Sequence, residues 1–220
     1  MSVKVKICGV RTPAIVEAAA KAGADFVGLV LFPKSRRHLE LEEARVLAAI
    51  ARGKIGSVAV MVDPDDALVD AVLEKVRPDI FQLHGSETPE RVAAIRARTG
   101  LPVMKAVPVA DAADIAYANA YAGSADYILF DAKASPDATL PGGNGVPFDW
   151  RVLMGLAPPF ALSGGLTPDN VGEAVRLTGA TLVDVSSGVE RAPGEKDASL
   201  VRSFIQAAKS AIPQPRAKAS

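Results

Sequence analysis

One cysteine in 220 residues leaves no partner for an internal disulfide and excludes a Cys-rich zinc site. Two histidines leave few soft ligands, so no metal and no organic cofactor is expected. Neither sign of charge is in excess: 25 basic side chains face 25 acidic ones, which argues against a broad polyanion-binding surface and so against nucleic acid as a partner. No apolar run approaches the roughly 18 residues that a membrane span needs. The opening Met1-Ser-Val-Lys-Val-Lys-Ile-Cys alternates charged and apolar residues too early for a signal peptide. A soluble, cytoplasmic, metal-free chain is the expectation, and 49% hydrophobic with 23% charged residues suits an ordinary globular protein.

What is present is a rhythm. Short runs rich in Val, Ile, Leu and Phe recur at Val3–Ile7, Phe26–Leu31, Ser57–Met61, Ile80–Leu83, Val103–Ala106, Tyr127–Phe130, Phe160–Leu162 and Leu182–Val185. Near-continuous apolar runs mark parallel strands covered on both faces. Ala-rich amphipathic segments lie between them, over Pro13–Ala22, Leu41–Ala51, Asp65–Val76, Pro89–Arg98, Ala112–Ala122, Pro168–Leu177 and Asp197–Ala208. Thr12-Pro13, Thr88-Pro89 and Thr167-Pro168 each place a capping residue before a proline at the first helical position. Gly23, Gly100, Gly123 and Gly179 stand where helices should stop. Eight βα units in a chain of about this length predict a (β/α)8 TIM barrel. An open doubly wound sheet is disfavoured, since no Gly-x-Gly-x-x-Gly turn follows the first strand. No linker divides the chain, so 1–212 is expected to form one catalytic barrel domain, with 213–220 as a flexible tail. The long segment from Ala132 to Pro147, with Gly142, Gly143 and Gly145, reads as a functional or disordered loop.

In such a barrel the C-terminal strand ends share one rim, and catalytic groups collect there. Ser163-Gly164-Gly165 after the seventh strand and Ser186-Ser187-Gly188 after the eighth, the latter entering a short extra helix, form the clearest constellation. Backbone N–H groups of Gly164, Gly165, Ser186, Ser187 and Gly188 can approach an anion closely, and barrels often hold a phosphate between these loops. A phosphorylated small molecule is the expected partner. Cys8 ends the first strand beside Lys6, a cation that would depress its pKa and favour the thiolate; a lone cysteine is otherwise commonly a small buried apolar residue. No hydrolase-like Cys/His/Asn arrangement accompanies it, so proton transfer fits better than nucleophilic attack. Asp131 ends an apolar strand, where a partly desolvated carboxyl suits a general acid, although a turn-capping role reads equally well. Together Cys8 and Asp131 have the makings of an acid/base pair that moves a proton between adjacent atoms. In Lys34-Ser35-Arg36-Arg37, one arginine fork can grip a carboxylate while the other is solvated. His84 reads either as a substrate contact or as a satisfied structural histidine.

These motifs, taken in order, resemble the phosphoribosylanthranilate isomerase family. The match rests on Lys6-Ile-Cys-Gly-Val, Gly28-Leu-Val-Leu-Phe-Pro-Lys-Ser-Arg-Arg, Gln82-Leu-His-Gly-Ser-Glu, Leu129-Phe-Asp-Ala-Lys, Gly142-Gly-Asn-Gly with Phe148-Asp-Trp, Leu162-Ser-Gly-Gly-Leu-Thr-Pro-Asp-Asn-Val, and Val183-Asp-Val-Ser-Ser-Gly-Val-Glu followed by Pro193-Gly-Glu-Lys-Asp. The resemblance implies an Amadori rearrangement in tryptophan biosynthesis, without metal or cofactor. It makes Cys8 the general base, Asp131 the general acid and Arg37 the contact for the anthranilate carboxylate, with Asp184 holding a sugar hydroxyl. Monomer and homodimer both remain open. Two departures stand out: Arg36 replaces a usual proline and competes with Arg37 for the carboxylate, and Val62-Asp63 replaces a frequent Val-Asn. Two alternatives remain. One is another phosphosugar barrel isomerase, of the histidine pathway or with two substrates, where two aspartates are expected. The other is a non-catalytic barrel that binds a phosphometabolite.

Overall fold

The computed structural model describes residues 3–133, 148–156 and 159–211. Eight parallel strands close into one barrel in sequence order: β1 (Lys4–Cys8), β2 (Phe26–Val30), β3 (Gly56–Met61), β4 (Ile80–Leu83), β5 (Val103–Val109), β6 (Tyr127–Ala132), β7 (Ala161–Leu162) and β8 (Leu182–Val185). The ring is shut by β1 against β8, with Lys6 opposite Asp184. Around it lie α1 (Pro13–Ala22), α2 (Leu41–Ala51), α3 (Asp66–Lys75), α4 (Pro89–Thr99), α5 (Ala112–Ala118), α6 (Val171–Thr178) and α7 (Ala198–Ser210). The expected (β/α)8 barrel is the fold.

The two-residue period of a strand sorts side chains into two layers. Val5 and Ile7 of β1, Ala59 and Met61 of β3 and Val183 and Val185 of β8 face the helices in the larger core. Val30, Val58, Val60, Ile80, Met104, Ala106, Leu129, Ala161 and Leu182 fill the barrel interior. Because alternate residues point inward, Lys6 and Cys8 of β1, Gln82 of β4, Asp131 of β6 and Asp184 of β8 share that interior and its upper rim. The apolar plug beneath them closes the barrel floor, so polar chemistry is confined to one end.

Helix boundaries follow local chemistry, with three corrections. The first is that the helix expected over Ala112–Ala122 stops at Ala118 and passes into a 3-10 turn, Asn119–Tyr121, so that Gly123 follows that turn and caps no α-helix. Thr88 caps α4 through its hydroxyl, 3.3 Å from the Arg91 N–H, whereas Thr12 stands at the N-cap of α1 without a side-chain bond. The helix expected from Pro168 begins only at Val171. Asn170 is the cause: its Oδ1 accepts from the Thr167 N–H at 2.7 Å and its Nδ2 donates to the Gly165 carbonyl at 3.0 Å, folding 168–170 into a turn. Gly23, Gly100 and Gly179 end α1, α4 and α6 in the left-handed conformation, as expected of C-terminal caps. The expected extra helix after β8 is a single 3-10 turn, Ser187–Val189, and an unforeseen hairpin follows it, β9 (Glu190–Ala192) with β10 (Glu195–Lys196). Residues 134–147, with Gly142, Gly143 and Gly145, and the tail 213–220 lie outside the described residues.

Candidate active site

Cys8 ends β1 opposite Gly28 of β2. A Cβ at Gly28 would lie 2.9 Å from the Cys8 sulfur and 3.2 Å from Lys6 Cε, so the missing side chain is what lets thiol and lysine stem pack side by side. Lys6 is fully buried and its Nζ is 2.8 Å from Asp184 Oδ2. Burial opposes the Lys6 charge, but the Asp184 carboxylate and Cys8 outweigh it and hold the ammonium above its ordinary range. Asp184 Oδ1 is buried and has no hydrogen-bond partner among the described residues. The thiol corrects an expectation. Burial is the largest influence on Cys8 and pushes it up; Lys6 and Lys196 pull it down and Asp184 pushes it up again, so the net shift is upward, not the depression that a lone neighbouring lysine suggests.

Asp131 reaches the same rim from β6 and is nearly buried. Its Oδ1 accepts the Ala132 N–H at 2.9 Å, and its Oδ2 is 3.1 Å from His84 Nε2. His84 Nδ1 is in turn 3.1 Å from Gln82 Nε2, a fully buried amide nitrogen that only donates. In this orientation of the amide Nδ1 accepts and the Nε2–H points to Asp131, with Gln82 Oε1 buried and unpartnered among the described residues; the amide turned over would accept from Nδ1 and reverse the order. His84 is thus a partner of the acid candidate, a role that its sequence position left undecided. Glu87 holds the loop that carries it: its carboxylate takes the Gly85 N–H at 3.0 and 3.1 Å, the Asp63 N–H at 2.8 Å and Lys105 Nζ at 2.9 Å. Asp63, in a left-handed conformation, packs its carboxylate where Gly85 has no Cβ and accepts the Ser86 N–H at 2.7 Å, which gives the Val62-Asp63 departure a structural use.

The two arginines part company. Arg36 is exposed, and among the described residues only its carbonyl is engaged, with Arg11. Arg37 turns inward across Gly9, whose hydrogen leaves room for the Arg37 side chain, and forks onto Glu190 at 2.7 and 2.9 Å. At the β7 and β8 ends, Gly164 packs against Ala132 and Gly188 against the Leu166 carbonyl so closely that neither position tolerates a Cβ. The N–H groups of Gly164, Gly165 and Ser186 donate to no acceptor among the described residues, which leaves backbone donors of both loops without a partner there. Ser186 Oγ donates to the Cys8 carbonyl at 3.2 Å, tying the last loop to the first strand. Among the described residues no cluster of His, Cys, Asp or Glu suits a metal ion, and no helix is long and apolar enough to cross a membrane.

Residues 5–207 match the model of the N-(5'-phosphoribosyl)anthranilate isomerase family. The chain belongs to this family. Its isomerase relatives from Nitrobacter hamburgensis (55% identical over 213 residues, 96% of this chain and 95% of the relative) and Rhodopseudomonas palustris (56% over 211 residues, 95% and 97%) are matched almost end to end. Among solved structures, the family enzyme of Thermotoga maritima superposes with a TM-score of 0.85 at 36% identity, covering 94% of this chain and 98% of that one. A phosphoribosylanthranilate isomerase in complex with reduced 1-(o-carboxyphenylamino)-1-deoxyribulose 5-phosphate superposes at 0.82 with 34% identity and the same coverage. The family match and the superposition agree on the isomerase fold.

Four side chains of the site escaped the sequence reading. Gln82, Glu87, Glu190 and Lys196 all lie inside quoted motifs; Gln82 acts two residues on, at His84, and Lys196 within its own loop and hairpin, but Glu87 and Glu190 also act on other loops and strands, and nothing local marks a buried Glu as a partner of an arginine 153 positions away.

Proposed function

We propose that this barrel converts N-(5-phosphoribosyl)anthranilate to 1-(2-carboxyphenylamino)-1-deoxyribulose 5-phosphate, the Amadori step of tryptophan biosynthesis, as a cytoplasmic monomer or homodimer. The observation that carries the residue roles is the convergence of Cys8, Asp131 and the open N–H groups of the β7 and β8 loops on one rim. The substrate phosphate docks on Gly164, Gly165, Ser186, Ser187 and Gly188. Asp131 gives a proton to the furanose ring oxygen, the ring C–O bond breaks and a Schiff base forms at C1. The Cys8 thiolate takes the proton from C2, leaving an enolamine; protonation at C1 and loss of the C2 hydroxyl proton yield the ketone. Acid and base steps of this kind each supply roughly 10²–10⁴-fold.

The hydrogen bonds of Asp131 fix its carboxyl on the rim: the Ala132 N–H meets Oδ1 and His84 Nε2 meets Oδ2. With Gln82 donating to Nδ1, His84 turns its Nε2–H toward Asp131 Oδ2. Since His38 and His84 are the only histidines, a ¹⁵N spectrum of the imidazoles resolves this directly: the Nε2–H tautomer is expected for His84, and an Nδ1–H tautomer would reverse the donor order. Asp184 offers its unpaired Oδ1 to a sugar hydroxyl.

Arg37 takes the anthranilate carboxylate, because it is the inward arginine. Arg37→Ala is expected to raise KM about tenfold or more, with kcat falling where orientation is lost, while Arg36→Ala stays near the parent values. Equal losses would move the contact to Arg36. A steady-state assay that follows the disappearance of substrate fluorescence tests the activity itself; no turnover of phosphoribosylanthranilate by folded protein would sink it.

A further inference from the structure

The guanidinium proposed to read the substrate carboxylate is already half used. Arg37 Nε lies 2.7 Å from Glu190 Oε1 and Nη2 lies 2.9 Å from Oε2, which fills the side edge of the fork. Glu190 is buried and takes two more donors: Lys196 Nζ at 2.6 Å on Oε1 and the Gly194 N–H at 3.2 Å on Oε2. Lys196 is lashed in turn to the Ser186 carbonyl at 3.1 Å, and Ser186 Oγ reaches the Cys8 carbonyl. The only polar contacts of Arg37 side-chain nitrogens among the described residues are those to Glu190, so Nη1 and the outer hydrogen of Nη2, the end edge of the fork, carry no partner there. Two cations share one anion, so the cluster is short of one negative charge.

We infer that Glu190 is a positioning residue for substrate recognition: it occupies the side edge of Arg37 so that the substrate's aromatic carboxylate is taken on the end edge, where it completes the charge of the Arg37–Glu190–Lys196 cluster. The inference rests on the proposed contact between Arg37 and the anthranilate carboxylate and adds how that contact is aimed. A free arginine would offer its side edge, the best bidentate geometry, and could swing with its ligand. With that edge filled, the guanidinium plane is fixed by a second carboxylate anchored on the loop that follows β8, and the ligand must meet it from one direction. Burial works against ionisation of Glu190, but the Arg37 bonds and the Lys196 charge outweigh it and hold the carboxyl down at about 2, so the anchor is ionised throughout the neutral range. The hairpin β9–β10 then has a purpose: its turn brings Lys196 and the Gly194 N–H back onto the first residue of the hairpin, Glu190.

The test compares two ligands on the full chain: reduced 1-(2-carboxyphenylamino)-1-deoxyribulose 5-phosphate and the same compound without the ring carboxylate. The ratio of their inhibition constants measures carboxylate recognition and nothing else. The parent chain is expected to prefer the carboxylated ligand. Glu190→Gln, nearly isosteric, should lower that preference by about tenfold or more and raise KM more than it lowers kcat, because its amide sets a donor against a cationic donor and frees the fork. In the Arg37→Ala background, Glu190→Gln should change the preference no further, since Glu190 acts through that arginine. A merely structural glutamate would lower both affinities together and add its loss to that of Arg37→Ala. Preserved preference in folded Glu190→Gln overturns the inference, and so does increased preference, which would make Glu190 a competitor of the substrate. Absence of turnover by the parent chain is a separate result that sinks the activity instead. Should Glu190→Gln melt far below the parent, Lys196→Met reports on the same anchor, and unchanged preference there overturns the inference equally.

Discussion

Cys8→Ser is expected to fold, to bind the reduced product analogue as the parent chain does, and to turn over about a hundredfold more slowly or worse. The folded state has little stake in the sulfur. Serine is smaller, Gly28 leaves the space open, and the Lys6–Asp184 pair below is untouched. The phosphate loops belong to other strands. What changes is the base, since a hydroxyl is far harder to deprotonate than a thiol. Cys8→Ala should be at least as inactive. Near-parental turnover in Cys8→Ala would remove the thiol from the mechanism and leave Asp131 and water to move the proton.

The same thiol sets a pH dependence whose sign is clear. Burial raises the Cys8 pKa above its ordinary value in the ligand-free barrel, so the thiol is protonated below that point and the thiolate fraction grows as pH rises. If thiolate is the competent form, the Cys8 limb of log kcat/KM, which reports the free enzyme, should rise with pH, opposed by the limb on which the general acid is lost. Alkylation of Cys8 by iodoacetamide should climb alongside it. A plateau already reached below neutrality in both measurements would show that Lys6 and Lys196 win over burial in solution.

Strands were legible because burial on both faces writes them as Val, Ile and Leu runs, and Ile80–Leu83 and Leu182–Val185 are bounded where those runs are. Helix starts were less so, since Asn170 redirects hydrogen bonding that Thr167-Pro168 alone suggests. The charged hairpin Glu190–Lys196 has no apolar period to announce it. For the site, the inward rim could be read from strand ends. Pairings across the barrel could not: Lys6 and Asp184 are 178 positions apart and meet only because β1 closes against β8. Even the thiol's shift inverted for this reason, as one neighbour in sequence hid the burial and the second charge that fold brings.

Asp131→Asn is expected to cost turnover at least as much, about a hundredfold or more, by stopping a different step. An amide cannot give a proton to the ring oxygen. Nor can it replace the carboxyl's bonding: if its oxygen keeps the Ala132 N–H, its nitrogen faces the His84 Nε2–H, and if it turns over, nitrogen meets the Ala132 N–H instead. One buried donor is left unmatched either way, which costs on the order of 1–3 kcal/mol and should appear as a lower melting temperature, unlike Cys8→Ser. The two variants are separable with substrate deuterated at C2. Removing the base makes proton abstraction at C2 slow, so Cys8→Ser should show a large isotope effect on kcat/KM. Removing the acid makes ring opening slow, before the C2–H bond is touched, so in Asp131→Asn the effect should fall toward unity. An isotope effect as large in Asp131→Asn as in Cys8→Ser would mean that both groups serve C2, and that ring opening needs no help from Asp131.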